Sequence, residues 1–462
     1  MLAKFKKKYI GDWDFYQKYL LLAIPMILQN AITNLVSFLD NIMVGQLGTE
    51  QMSGVAIVNQ LIFVYNLAIF GAVSAASIFG AQYFGKGNHK GHMYSFRFKL
   101  YATLLVTGGA ILLFLTKGSA LISLYLTDTV GNGATDLALQ YGLEYLAIMM
   151  VGLIPFAVNQ SYATNIKETG QTFIPMLASF VAVGTNAILD YLMIFGIGPF
   201  PELGVQGAAL ATVIARYIEA LIVVIWAHIH RGKNRYLEGA YTSFGIPLAE
   251  LKAILIKGFP LMMNEVLWAA GMTTVTQCYS VRGLDVVAGL NIASTITNLF
   301  NIVYLQLGSC ISIVVGQYLG AGKLEDAKDA DNKMIVFSVF CCVIMAALMF
   351  VVGGFFPGIY NTTEEIRELA TSFIAVSAII MPFCAFSHAS YFTLRSGGKT
   401  VVTFLFDSVF TWVIVVPAAY LLAHFTGLGI VSIYFLVQGT ELIKVIIGYL
   451  MVKSNVWVVQ MV

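Results

Sequence analysis

The chain has 462 residues, of which 58% are hydrophobic and only 11% charged, against about 25% charged in a soluble globular domain. That composition excludes a soluble globular fold and points to a polytopic membrane protein with the bilayer as its main solvent. The net charge of +2 and the five cysteines, Cys278, Cys310, Cys341, Cys342 and Cys384, add little: the cysteines lie in apolar stretches without zinc-type spacing and read as small buried hydrophobes.

The N-terminal stretch MLAKFKKKYIGDWDFYQK is basic. It lacks the short apolar core and small-residue cleavage site of a signal peptide, so residues 1–19 read as a cytoplasmic arm. A crossing helix takes about 20 mostly apolar residues. Twelve are predicted, over 20–44, 54–79, 96–116, 139–162, 174–197, 206–228, 255–280, 287–316, 334–356, 369–392, 403–425 and 429–452. Basic connections alternate with connections poor in Lys and Arg. The basic set holds Lys86, Lys90, Arg97 and Lys99, then Lys167, then Arg231, Lys233, Arg235, Lys252 and Lys257, then Lys323, Lys328 and Lys333, then Arg395 and Lys399. The positive-inside rule puts both termini in the cytoplasm, and the even span count agrees.

The first span carries Pro25 and, deep inside it, Asp40. A carboxylate in hydrocarbon costs roughly 2.5–3.5 kcal/mol on insertion scales, so it usually faces a packed interior or a watery cavity. Gln29, Thr33, Ser37 and Asp40 are spaced by four, four and three, which places them on one helical face as a polar seam. In the fifth span Asn186 and Asp190 lie one turn apart. An acid and an amide on one face can coordinate a small hard cation through oxygen or hold a proton.

The longest connection, 229–254, divides the spans six and six. Sliding the sequence by 235 positions lays Pro25 on Pro260, Gly48 on Gly283, Gly54 on Gly289, Asn66 on Asn301 and GAQYFGKG (80–87) on VGQYLGAG (315–322); a slightly smaller shift lays Pro155 on Pro382 and KETG (167–170) on RSGG (395–398). An even number of spans per half makes the halves parallel repeats. Matched prolines in spans 1 and 7, and 4 and 10, then mark corresponding interruptions, the best sequence pointer to a central site and moving parts. Expected domains are a first lobe over 1–228, a connection over 229–254 and a second lobe over 255–462.

Under the same shift Asn264 and Glu265 fall opposite Gln29 and Asn30, with Trp268 three residues on. An acid beside an aromatic suits an organic cation. Other charges read as structural: Arg216 with Glu219 and Glu441 with Lys444 as pairs on their own helices, Asp407 near a helix N-terminus, and Glu144 near the outer end of its span. His388 reads as core packing. No H-E-x-x-H, P-loop or G-x-S-x-G occurs, so no enzyme chemistry is expected. Transport would run on an ion gradient or downhill.

FLDNIMVGQLG (38–48), AQYFGKGN (81–88), NAILDYLMIFG (186–196), LGVQGAALAT (203–212), GQYLGAGK (316–323) and LRSGGKT (394–400), in that order on twelve spans, resemble the MATE family of multidrug and toxic compound extrusion transporters. The resemblance implies an all-α fold of two parallel six-helix lobes around a central cavity. It implies alternating access, with export of organic, often cationic compounds in exchange for H+ or Na+. Its DinF-like branch uses an acid in span 1 and an Asn/Asp pair in span 5, which map onto Asp40, Asn186 and Asp190, with Thr212 joining from span 6. Its NorM-like branch places acids in spans 7 and 10. Glu265 fills the first position, but span 10 offers only His388, which shifts the coupling site to the first lobe. Gln29, Thr33, Ser37, Asn264, Glu265 and Trp268 are the expected cavity residues, and Pro25, Pro155, Pro260 and Pro382 the expected hinges. No cofactor, metal or nucleic acid is expected. A monomer in a bacterial plasma membrane is. The rival reading is a lipid-linked precursor flippase of the same superfamily, whose cavity should be basic to meet phosphate.

Overall fold

The computed structural model describes residues 9–126 and 134–462. Lys4, Lys6, Lys7 and Lys8 of the expected arm, and the middle of the connection after the third span, lie outside the described residues. In lipid each backbone N–H and C=O must be satisfied within the segment, so a chain this apolar becomes helices. They are α1 Trp13–Gly45, α2 Thr49–Lys86, α3 His89–Ser123, α4 Ala134–Val151, α5 Leu153–Glu168, α6 Phe173–Ile194, α7 Gly204–Ile229, α8 Leu248–Ser280, α9 Leu284–Gly320, α10 Leu324–Gly353, α11 Glu364–Ser396, α12 Thr400–Phe425 and α13 Ile430–Lys453. Among the described residues eleven helices are each long and apolar enough to cross a membrane, and the bent pair α4–α5 makes a twelfth span.

The helices outrun their expected ends because an apolar window marks only the part in hydrocarbon. α2 has 38 residues and α9 has 37, absorbing the polar GAQYFGKG and GQYLG flanks. α8 begins at Leu248, which shortens the 229–254 connection. Arg97, expected in a basic loop, is buried on α3 and clamps that connection. Its guanidinium donates to the carbonyls of Gly239, Ala240 and Gly245 at 2.6, 2.8 and 2.7 Å.

The matched prolines do not all behave alike. Pro25 and Pro260 lie inside continuous helices. The fourth span breaks at Gly152 with a 44° bend, and Pro155 sits just beyond the break. Its counterpart Pro382 lies within unbroken α11, so paired interruptions of spans 4 and 10 are not observed. At the break Arg216 of α7 donates to the Gly152 carbonyl at 3.4 Å, and its guanidinium lies 5.1 Å from the Phe156 ring centre. The same carbonyl accepts the first helical bond of α5, from the Phe156 N–H at 3.4 Å, so Arg216 adds a second donor at the bend.

The chain folds into two compact units. One comprises Ile24–Gly80 and His89–Lys252; the other comprises the described residues up to Ala23, Ala81–Asn88 and Ala253–Val462. Residues 9–23 and 81–88, which precede the middle connection, pack with the second-half unit. Hydrogen bonds show why. The Tyr19 hydroxyl donates to the Leu307 carbonyl at 2.9 Å, and Tyr16 stacks on Phe337 with centroids 4.7 Å apart. The Gln82 amide donates to the carbonyls of Ser396 and Val459 and accepts from the Met461 N–H. The repeated QYxGxG segments, 82–87 and 317–322, also touch reciprocally. A Cβ on Gly85 would lie 2.0 Å from the Gln317 carbonyl oxygen, and one on Gly320 would lie 1.9 Å from that of Gln82. Gln82 and Gln317 are equivalent under the 235-residue shift, as are Gly85 and Gly320.

Each unit has its own core. The first packs Val58, Ile122, Ala157, Ile194 and Ala209; the second packs Cys342, Met349, Phe373, Ile374, Ala385 and Ile433.

Candidate ion-coupling site

The first-half unit brings together the four residues expected to bind a coupling ion. The carboxyl groups of Asp40 on α1 and Asp190 on α6 come within hydrogen-bonding reach of each other. Asp190 is 1% exposed and Asn186 6%, while Asp40 and Thr212 are half-buried. Asn186, one turn before Asp190, donates through Nδ2 to the Thr212 hydroxyl of α7 at 3.4 Å. With both acids ionised, neither oxygen of Asp190 nor Oδ1 of Asp40 has a donor among the described residues. Two carboxylates that close repel unless a proton or a cation lies between them. One shared proton supplies the missing donor. A small hard cation would find carboxylate, amide and hydroxyl oxygens on three helices.

The polar seam of α1 divides in two. Gln29 faces inward, donating through Nε2 to the Ser179 hydroxyl at 2.8 Å; Ser179 in turn donates to Glu219 of α7. Thr33 and Ser37 are exposed and bond back to the Gln29 and Thr33 carbonyls of their own helix. Glu219, expected to pair with Arg216, is thus bound across helices to Ser179, while Arg216 serves the break at Gly152.

The second half departs further from expectation. Asn264 is 2% exposed, with its side-chain amide engaged by other helices. Its Nδ2 donates to Asp407 at 3.1 Å and to the Tyr391 hydroxyl at 3.4 Å, and its Oδ1 accepts from the Ser408 hydroxyl at 2.8 Å. Lys444, expected to pair with Glu441, instead reaches Asp407 of α12 at 2.6 Å. Asp407 sits within α12, in a π-helical stretch, Leu405–Val409, rather than as a terminal anion. Glu265 is half-buried and Trp268 39% exposed. His388 donates through Nδ1 to the Cys384 carbonyl at 3.0 Å and packs on the Tyr304 ring, in keeping with a core position.

Sequence reasoning missed one buried ionic cluster. Lys99, read as a loop cation, is fully buried on α3. It binds Glu168 of α5 at 2.5 Å and the Asn165 side chain, while His92 approaches the other Glu168 oxygen at 3.3 Å. Gly80 leaves room for that carboxylate, since a Cβ there would meet Glu168 Oε2 at 2.0 Å. The available signal was the acid in KETG, used only to align the repeat.

Duplicated helical halves, membrane-length spans and a buried acid pair beside an amide and a hydroxyl define a multi-pass membrane transporter rather than an enzyme. The MatE family profile matches residues 25–192 and again 260–421; the chain belongs to this family, the one its motifs resembled. Curated relatives include a probable multidrug resistance protein NorM of Thermotoga maritima, 23% identical over 89% of this chain and 86% of that protein, and one of Halalkalibacterium halodurans, 24% identical over 89% and 88%. Solved structures of the same fold include a MOP superfamily transporter from Pyrococcus furiosus and an outward-facing multidrug resistance MATE family transporter. Each is 20% identical with a TM-score of 0.85, covering 96% of both chains.

Proposed function

We propose that the chain is a secondary antiporter that exports organic, mainly cationic compounds in exchange for H+ or Na+. The observation that carries this reading is the meeting of Asp40 and Asp190 beside Asn186 and Thr212. Occupancy of that acid pair by a proton or sodium would alternate with substrate and bias α1 about Pro25. Three things support the reading: the relatives named as multidrug resistance proteins, a MATE transporter solved in both bent and straight conformations at TM-scores of 0.85 and 0.84 to this chain, and the acidic character of the seam. Acids at membrane depth suit a cationic cargo. The basic residues a lipid-linked precursor flippase needs for phosphate are not what the seam of α1, α6 and α7 presents. Glu265 and Trp268 would contribute to substrate binding, with Thr33 and Ser37 of the exposed seam. Working as a monomer in a bacterial plasma membrane, with both termini cytoplasmic, completes the proposal.

The test is transport of a fluorescent organic cation in proteoliposomes with an imposed proton or sodium gradient. The parent should respond to one of the two gradients, which names the ion. Asp40→Asn and Asp190→Asn should each fall to the level of empty vesicles. If both variants still couple to that gradient as the parent does, the acid pair is not the coupling site.

A further inference from the structure

The second-half unit holds a cavity of about 490 Å³ where α10 begins and α13 ends, walled in part by Tyr9, Asp331, Val336, Phe386, Tyr449 and Lys453. The charges around it cancel with two exceptions. Glu325 holds Lys328 at 2.7 Å and Asp329 holds Lys333 at 2.5 Å. Asp331 is 1% exposed; its Oδ1 accepts the Thr393 hydroxyl at 2.5 Å, and its buried Oδ2 has no hydrogen-bond partner among the described residues. Lys453, at the rim, has no carboxylate partner among the described residues, and its ammonium lies 5.5 Å from the Tyr449 ring centre. The cavity thus offers one uncompensated anion and one uncompensated cation.

A buried acceptor without a donor is costly to leave unmade, and a primary ammonium brings three donors where a quaternary one brings none. A lysine at the rim calls for an anion, and phosphate meets it as a point charge. Tyr449 is 51% exposed and Val336 40%, so apolar surface runs outward from the mouth. Lys453 and Tyr449, both exposed near the end of α13, are residue types of a membrane–water interface. We propose that this cavity binds the aminoethyl phosphate headgroup of a phospholipid, with its ammonium on Asp331, its phosphate on Lys453 and an acyl chain leaving past Val336 and Tyr449. The site lies apart from the Asp40–Asp190 pair, and its lipid would be bound rather than exported.

The experiment is native mass spectrometry of the purified full chain after exchange into micelles holding equal amounts of phosphatidylethanolamine, its mono-, di- and trimethylated forms, and phosphatidylglycerol. The parent should retain one lipid. It should prefer the primary, mono- and dimethyl amines, which keep an N–H, over the trimethyl form by about tenfold or more, the worth of one hydrogen bond to a charged group. Asp331→Asn should abolish that preference. Lys453→Ala should weaken all amine forms together, and Val336→Trp should block retention. The methylation series needs no variant, so it decides the matter even if Asp331→Asn fails to fold. Soluble O-phosphoethanolamine separates the sources: displacement of the lipid assigns the site to the free zwitterion, and failure to displace assigns it to the lipid. Equal retention of primary and trimethyl lipids by the parent, or an unchanged preference in folded Asp331→Asn, overturns the proposal.

Discussion

Glu219 and Lys444 show what one side chain decides when the helices around it are copies. Gln29, Ser179 and Glu219 join α1, α6 and α7; Asn264, Asp407 and Lys444 join α8, α12 and α13. Both amides follow a proline by four residues, and the members correspond at shifts of 235, 228 and 225. The first network runs amide to hydroxyl to acid. The second puts the acid in the middle and a cation at the end, so it is neutral within itself. Removing one partner of a buried pair leaves the other charge stranded, so Lys444→Met should cost about 3–5 kcal/mol, and adding Asp407→Asn should recover most of it. Thermal unfolding in detergent, followed by tryptophan fluorescence, measures both; a double variant no more stable than Lys444→Met alone would show that the pair is not what holds the network. Glu219→Gln keeps an acceptor for Ser179, so stability should change by less than about 1 kcal/mol. The acid pair Asp40–Asp190 was legible because membrane-depth acids are few. Neither the Glu219 nor the Lys444 partnership was. Spacing of three places two charges on one face, but it says nothing of which helix lies opposite, and at both sites a crossing helix supplied the better partner.

Helix breaks and close approaches belong to neighbours more than to local sequence. Pro155 and Pro382 look alike in the chain, yet only Pro155 lies beyond a break, at Gly152, where Arg216 of another helix donates to the Gly152 carbonyl. The second π-helical stretch of α12, Thr411–Val415, directly precedes Pro417, whose missing N–H removes a bond to Val413 and lets the preceding turn widen. Nothing in a hydropathy window distinguishes such a turn. The QYxGxG segments were legible as a repeat, but their contact with each other was not, because self-similarity carries no distance. That contact makes a sharp prediction. Alanine at Gly85 or Gly320 would place a Cβ 2.0 or 1.9 Å from a carbonyl oxygen, and the backbones must separate at a cost of about 1–3 kcal/mol each. Gly109→Ala, mid-helix with nothing within 4 Å, should be neutral or stabilising by up to about 1 kcal/mol. Melting temperatures of the three variants check the contrast. A Gly320→Ala variant as stable as Gly109→Ala would mean the two segments do not meet.

The duplication also makes a prediction for how the chain threads the bilayer. The two matched blocks start 235 residues apart and end 229 apart; Pro25 and Pro260 are also 235 apart, and Pro155 and Pro382 are 227 apart. A duplicated unit with an even number of spans starts and ends on one side, so the second copy should enter from the side the first one did, and the two ends should share a compartment. Basic residues choose which compartment it is. Lys233 lies in the basic stretch between the halves, and Gly427 in the HFTGLG connection between α12 and α13; both are exposed. With the five native cysteines replaced, a single cysteine at position 233 should react with a membrane-impermeant maleimide only after the cells are permeabilised. One at position 427 should react in intact cells. Labelling of both from one side would break the alternation on which the parallel repeat rests, and reversed labelling would keep the repeat but invert the chain, putting the Lys453 end, with its cavity, in the opposite leaflet.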